Sequence, residues 1–249
     1  MATATMPRNI APFIGRRTDN YFFSGMALLL LATVVVGFAR TYFLAGVFRA
    51  PLPSVLVHVH GALFFCWILL LITQVSLVSA GRVDIHRKLG LAGFGLACAM
   101  VVIGTLTASK LLARNVSPIP AFDAKTFYAI PMADMVVFAT LIFFAWRYRS
   151  NSAAHKRLVL IATIALMDAP TGRPPFAAIT NHQYLDSIFC VAFLLLLVGY
   201  DVWSRHKVHR ATILGGLLMV IIYLARVPIG MSAGWHSFAT WAQNLAHSA

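Results

Sequence analysis

Charge is scarce in this chain. Charged residues make up 11% of its 249 residues, seven acidic against twenty basic, too few to coat a water-soluble domain. Cysteine is scarcer still: Cys66, Cys98 and Cys190 stand singly in three apolar runs with no CxxC spacing. That excludes a disulfide framework and a thiolate metal cluster, and leaves the three as small packing hydrophobes. No segment between the apolar runs is long enough for another domain. No cleavable signal is expected, because the first apolar run is too long for an h-region and lacks a small-residue cleavage site. What remains is hydrophobic length. Apolar residues are 60% of the chain and the mean hydropathy is +0.80. With about 20 residues needed to cross a bilayer, the runs 21–48, 53–80, 88–112, 126–147, 155–172, 184–204 and 209–229 predict an all-α polytopic bundle of seven transmembrane helices over residues 21–230.

A formal charge of +13 raises nucleic acid as a partner, but the basic residues flank span ends and form no polar face, so the expected partner is the lipid bilayer. Arg8, Arg16 and Arg17, then Arg82, Arg87 and Lys88, then Arg147, Arg149, Lys156 and Arg157, then Arg205, Lys207 and Arg210 mark the N-terminus and every second loop. The intervening loops carry only Arg49, Lys110, Arg114, Lys125 and Arg173. Positive clusters stay inside, which predicts an N-terminal tail (1–20) inside and the C-terminal segment (231–249) outside, in a bacterial-type inner membrane. Prolines punctuate the other side: Pro51 and Pro53, Pro118 and Pro120, and Pro170, Pro174 and Pro175. Each ends or delays a helix, so 170–184 is expected to be an irregular outer loop folded over a cavity. Past the last span, Trp235, Phe238, Trp241 and Leu245 recur at helical spacing and predict a short helix in the outer interface.

Inside the apolar runs, polar residues collect at one depth. From the 1.5 Å rise per residue, Asp134, Asp168, Asp186, Arg40, Arg226, His58 and His60 all fall in the outer third of the membrane, with Arg173 and His182 in the adjoining loop. A charge at mid-membrane costs roughly 2.5–3.5 kcal/mol, so these groups must pair inside the bundle or line water. Two functional readings stand beside plain interhelical ion pairing: a polar pocket for a small ligand, and a metal site built from His60, Asp134 and Asp168. His58 and His60 cannot both serve one ion, because two residues on a helix are about 200° apart.

At the opposite ends, His86 and His155 open spans three and five, where facing imidazoles with basic neighbours could hold a haem b axially. Asp84-Ile85-His86-Arg87-Lys88-Leu89-Gly90 and Ala154-His155-Lys156-Arg157-Leu158 share a His-basic-basic-Leu pattern, the mark of a duplicated helix pair. With His60-Gly61 in the preceding span, these motifs resemble a family of uncharacterised bacterial multi-pass membrane proteins carrying His-Arg-x-Leu-Gly and His-Arg-x-x-Met elements. The likeness covers roughly residues 54–168, and Val159 stands near that family's methionine. The placement is also similar to cytochrome b561-type proteins, which hold two haems on four helices. That likeness implies one inner haem on His86 and His155, while span four offers Met132, Asp134 and Met135 in place of a second outer histidine. The expected functions are therefore ligand or redox-cofactor binding, proton-coupled transport through Asp134 and Asp168, or an accessory subunit role in a homo-oligomer or larger membrane complex.

Overall fold

The computed structural model describes residues 11–50, 53–173 and 185–248, and among these it is all-α with no strand. Six stretches are long and apolar enough to cross a membrane: Arg17–Phe43, Val55–Ser79, Val83–Ala113, Ala124–Arg147, Ser187–Arg205 and Arg210–Gly230. The chain is thus a multi-pass membrane protein. The first stretch lies in α1 (Ala11–Phe38), which widens into a π-helical turn over Ala39–Phe43 before the short α2 (Ala45–Phe48). The next three are α3 (Val55–Ser79), α4 (Val83–Ala113) and α5 (Ala124–Arg147).

The expected continuous helix over 155–172 is not formed. Instead α6 (Ser152–Ile164) ends in a tightened turn, where Leu166 and Met167 donate to the carbonyls of Thr163 and Ile164, three residues back. The chain then resumes as α7 (Asp168–Thr171). Pro170 explains the break, since it has no N–H and its ring would strike the carbonyl four residues earlier. The Tyr223 hydroxyl donates to the Ala165 carbonyl at 2.8 Å, satisfying an acceptor that the break releases. Helices α8 (Leu185–Arg205), α9 (Arg210–Gly230) and α10 (Ala233–Ser248) complete the fold.

Helices α3 to α6 pack in sequence order, α9 lies against α5 and α6, α1 against α3, and α10 against α4 and α5. The centre is filled by Phe138, Met100, Leu141, Ile161 and Met219, all essentially inaccessible. Trp67 of α3 meets Phe138 edge-on, with centroids 5.3 Å apart, and donates from Nε1 to Thr163 of α6 at 3.1 Å. Small residues set the closest approaches. A Cβ on Gly230 would lie 2.8 Å from the Thr126 carbonyl oxygen, so only glycine lets the end of α9 sit on α5. Exposed Leu91, Val102, Phe143, Leu195, Leu214 and Leu224 give the bundle its lipid-facing exterior.

Candidate functional site

Charged side chains inside this bundle gather in two layers. The outer layer centres on Arg226, 4% exposed, near the end of α9. Its guanidinium donates to Asp134 of α5 at 2.9 Å and to Ser187 of α8 at 2.8 Å, and pairs with Asp168 of α7 at 2.9 Å. Asp168 also accepts from Ser187 at 3.4 Å, and the guanidinium lies 4.2 Å from the centre of the Tyr223 ring. One arginine thereby ties four helices together, using the planar fork that suits carboxylates.

The other residues expected at this depth divide. Arg40 is turned out of the cluster: it sits in the π-helical turn, exposed, with its guanidinium 4.9 Å from the centre of the Phe48 ring. His58 is exposed and shares a 3.0 Å hydrogen bond with the Tyr42 hydroxyl. His60 stacks on Phe64 with centroids 4.1 Å apart, and its Nδ1 is buried without a partner. Arg173 donates to the Ala169 carbonyl and lies over the Phe38 ring at 4.5 Å. His182 lies outside the described residues, as do positions 174–184 of the expected outer loop, while the start of that loop is helical instead, with Pro170 and Thr171 in α7. Asp186 falls within α8, and its side chain is not among those described. The metal set of His60, Asp134 and Asp168 is not assembled. Both carboxylates are turned to Arg226, and among the described residues no three His, Cys, Asp or Glu side chains converge as metal ligands.

The inner layer contains a pair that charge counting by depth passes over. Arg157 of α6 is fully buried and forms a charge-assisted pair with Asp201 of α8, itself fully buried. Asp201 also accepts from the Thr212 hydroxyl at 2.6 Å and the His209 backbone N–H at 3.0 Å, while Arg157 donates to the Ala153 carbonyl at 2.8 Å. Nearby, Lys156 pairs with Asp19 at 2.5 Å, and Asp19 accepts from Tyr200 at 2.6 Å. Two of the basic residues that read as topology signals are therefore structural partners of carboxylates. The sequence signal for the first pair is Asp201 itself, an acid within the last two turns of an apolar helix and close to a basic loop.

Also at this end, the His86 and His155 rings lie 6.3 Å apart, centre to centre, with planes at 87°. His155 Nδ1 is 2.9 Å from the Ala145 carbonyl. A carbonyl only accepts, so Nδ1 carries a proton, and in the neutral ring Nε2 is the acceptor. His86 Nδ1 is buried with no partner, and so is Oε1 of Gln74 on α3. Buried unpaired polar atoms are uncommon and call for a cause. With Lys156 and Arg157 committed elsewhere, the exposed Arg87 and Lys88 are the cations following His86.

Outside the spans, Asp123 caps α5. Burial pushes its carboxyl up, but hydrogen bonds from the Thr126 hydroxyl and the backbone N–H groups of Thr126 and Lys125 outweigh this and hold it below the usual carboxylate range. Trp235 of α10 packs near this cap, donating to the Lys125 carbonyl at 2.8 Å. Comparison with known proteins adds no relative: no family model, no curated protein and no solved structure matches the chain.

Proposed function

We propose that this protein is a seven-span membrane redox protein that holds a haem b between His86 and His155 near its inner face. The observation that carries the proposal is the imidazole pair. Two imidazoles that shared one iron would have ring centres roughly 6 Å apart, and those of His86 and His155 lie 6.3 Å apart. The contact of His155 Nδ1 with the Ala145 carbonyl supports this reading, being of the kind that orients metal-bound histidines. Bound there, haem would supply one-electron transfer. His155 is steered by Ala145, and the low-dielectric core around Phe138 and Leu141 keeps water from the outer side.

The seventh crossing in this proposal is α6 with α7. From Arg157 in the inner layer to Asp168 in the outer is eleven residues, about 16 Å of rise, so the broken segment links both layers. The N-terminus is placed inside, α10 lies in the outer interface, and the compartment is a bacterial-type inner membrane. Phosphatase and fluorescent reporter fusions in the 80–83 loop and after Ser248 test this. They should report opposite sides, and a shared side would remove the seventh crossing.

The haem is tested by the absorption spectrum of protein purified from haem-replete cells. We expect a Soret band with sharpened visible bands on reduction, lost in His86→Ala and in His155→Ala while the bundle still purifies as a monodisperse species. Wild-type protein without a Soret band would end the proposal. A second proposal rests on the buried Arg226, Asp134, Asp168 and Ser187 cluster, which suits proton-coupled transport or a small polar ligand. Proton uptake into vesicles that is abolished by Asp134→Asn, in a spectrally colourless protein, would favour it over the first.

A further inference from the structure

Between α4 and α5 runs an apolar trough of about 240 Å3. Small Ala97 and Ala139 line it together with Phe94, Val101, Phe138 and Phe143. It faces lipid: Phe143 is 58% exposed, and Cys98, also in the lining, is exposed.

One end of the trough is charged. Trp146, just before the end of α5, stacks on Phe94 with ring centres 4.7 Å apart. Arg149 lies over that indole, its guanidinium carbon 4.7 Å from the ring centre, and donates to the Trp146 carbonyl at 3.2 Å. On α4, Arg87 precedes Phe94 by seven residues, which returns it to the same helix face. Arg87 and Arg149 are both exposed and in no ion pair among the described residues. The rise from Arg87 to Val101 is about 21 Å, enough for a headgroup at the arginines and an acyl chain through one leaflet, about half of a 30 Å core.

We infer that this trough is a binding site for an anionic phospholipid, with one acyl chain between α4 and α5 and the phosphate between Arg87 and Arg149. An apolar slot alone would accept any lipid tail. The two arginines at one end select charge, as basic pockets beside membrane helices do, and Arg149 is pre-ordered by Trp146 where a free side chain would lose rotamer entropy. Nothing in this inference depends on haem at His86 and His155.

The test is native mass spectrometry of the full chain released from phosphatidylcholine vesicles that contain a minor fraction of phosphatidylglycerol. Wild-type protein should retain one phosphatidylglycerol far above its share. Each of Arg87→Gln and Arg149→Gln should lower that preference roughly fivefold, the ratio matching about 1 kcal/mol per basic residue near a membrane surface. Ala139→Leu, which fills the trough from α5, should abolish retention of both lipids while leaving the arginines in place. Retention in proportion to supply by the wild type, or a preference that survives the double arginine substitution, would overturn the inference.

Discussion

Removing Arg226 should be among the most damaging single changes in this protein, and neutralising its partners should soften the blow. Arg226 is 4% exposed and bonded to Asp134, Asp168 and Ser187 at 2.8–2.9 Å. Arg226→Gln leaves two carboxylates in the bundle without their guanidinium, and breaking a buried pair in this way costs about 3–5 kcal/mol. Ordinary interhelical hydrogen bonds in membranes average roughly 0.6 kcal/mol, so the two origins are well separated. At roughly 2–4 °C per kcal/mol for a chain of this size, Arg226→Gln should lower the melting temperature in detergent by about 6–20 °C. Asp168→Asn alone should be milder, because Arg226 keeps Asp134. Combined with Arg226→Gln, it should restore at least about 1 kcal/mol, a coupling typical of residues in one network. Harmless single changes that add without coupling would refute the shared cluster and leave simple helix packing.

Other outcomes follow from packing and from the loops. Gly230→Ala should destabilise by about 1–3 kcal/mol as an overpacked contact, because its Cβ would meet the Thr126 carbonyl at 2.8 Å and Ala129 at 3.0 Å; Gly25→Ala, with nothing within 4 Å, is the matched control in the same thermal assay. Acid should loosen the inner end through His209, which lies just outside the membrane-spanning helix α9 and whose Nδ1 accepts the Ala211 N–H at 3.0 Å. Burial, then the nearby charges of Arg157 and Arg205, hold this imidazole below its usual range, against a smaller opposing pull from Asp201. The folded state therefore binds fewer protons than the unfolded one, so stability is lost as pH falls below about 6.5, the ordinary histidine value. His209→Asn, which still caps the helix, should remove that part of the pH dependence, and an unchanged profile would exclude His209 as its source.

Long uninterrupted apolar runs made five of the six membrane-length helices legible within a few residues, because helix length in a bilayer is set by its thickness. The first was legible in extent but not in form, since nothing in Ala39-Arg40-Thr41-Tyr42-Phe43 announces a π-helical turn. The fifth apolar run reads as one helix by length and hydropathy, yet the effect of Pro170 reaches back to the carbonyl of Leu166 and breaks it. Depth arithmetic brought Asp134, Asp168 and Arg226 to one level, and the helices turn all three to one point. It could not place Arg40, which a π-helical turn rotates outward, or distinguish His58 from His60 beyond stating that they diverge. The Arg157 and Asp201 pair was missed for a related reason. Arg157 belongs to a basic cluster in the sequence, where orientation signals are expected, but lies inside α6, and its partner is 44 positions away at the far end of another helix. Local patterns cannot reveal a contact that only helix order creates.

The haem assignment is tested most directly by low-temperature electron paramagnetic resonance of the oxidised, haem-replete protein. Two axial imidazoles with planes at 87° should give the highly anisotropic low-spin ferric signal characteristic of perpendicular rings. A high-spin signal, or no ferric haem signal at all, would contradict a haem held between His86 and His155, and a rhombic low-spin signal from parallel rings would contradict the 87° ring angle.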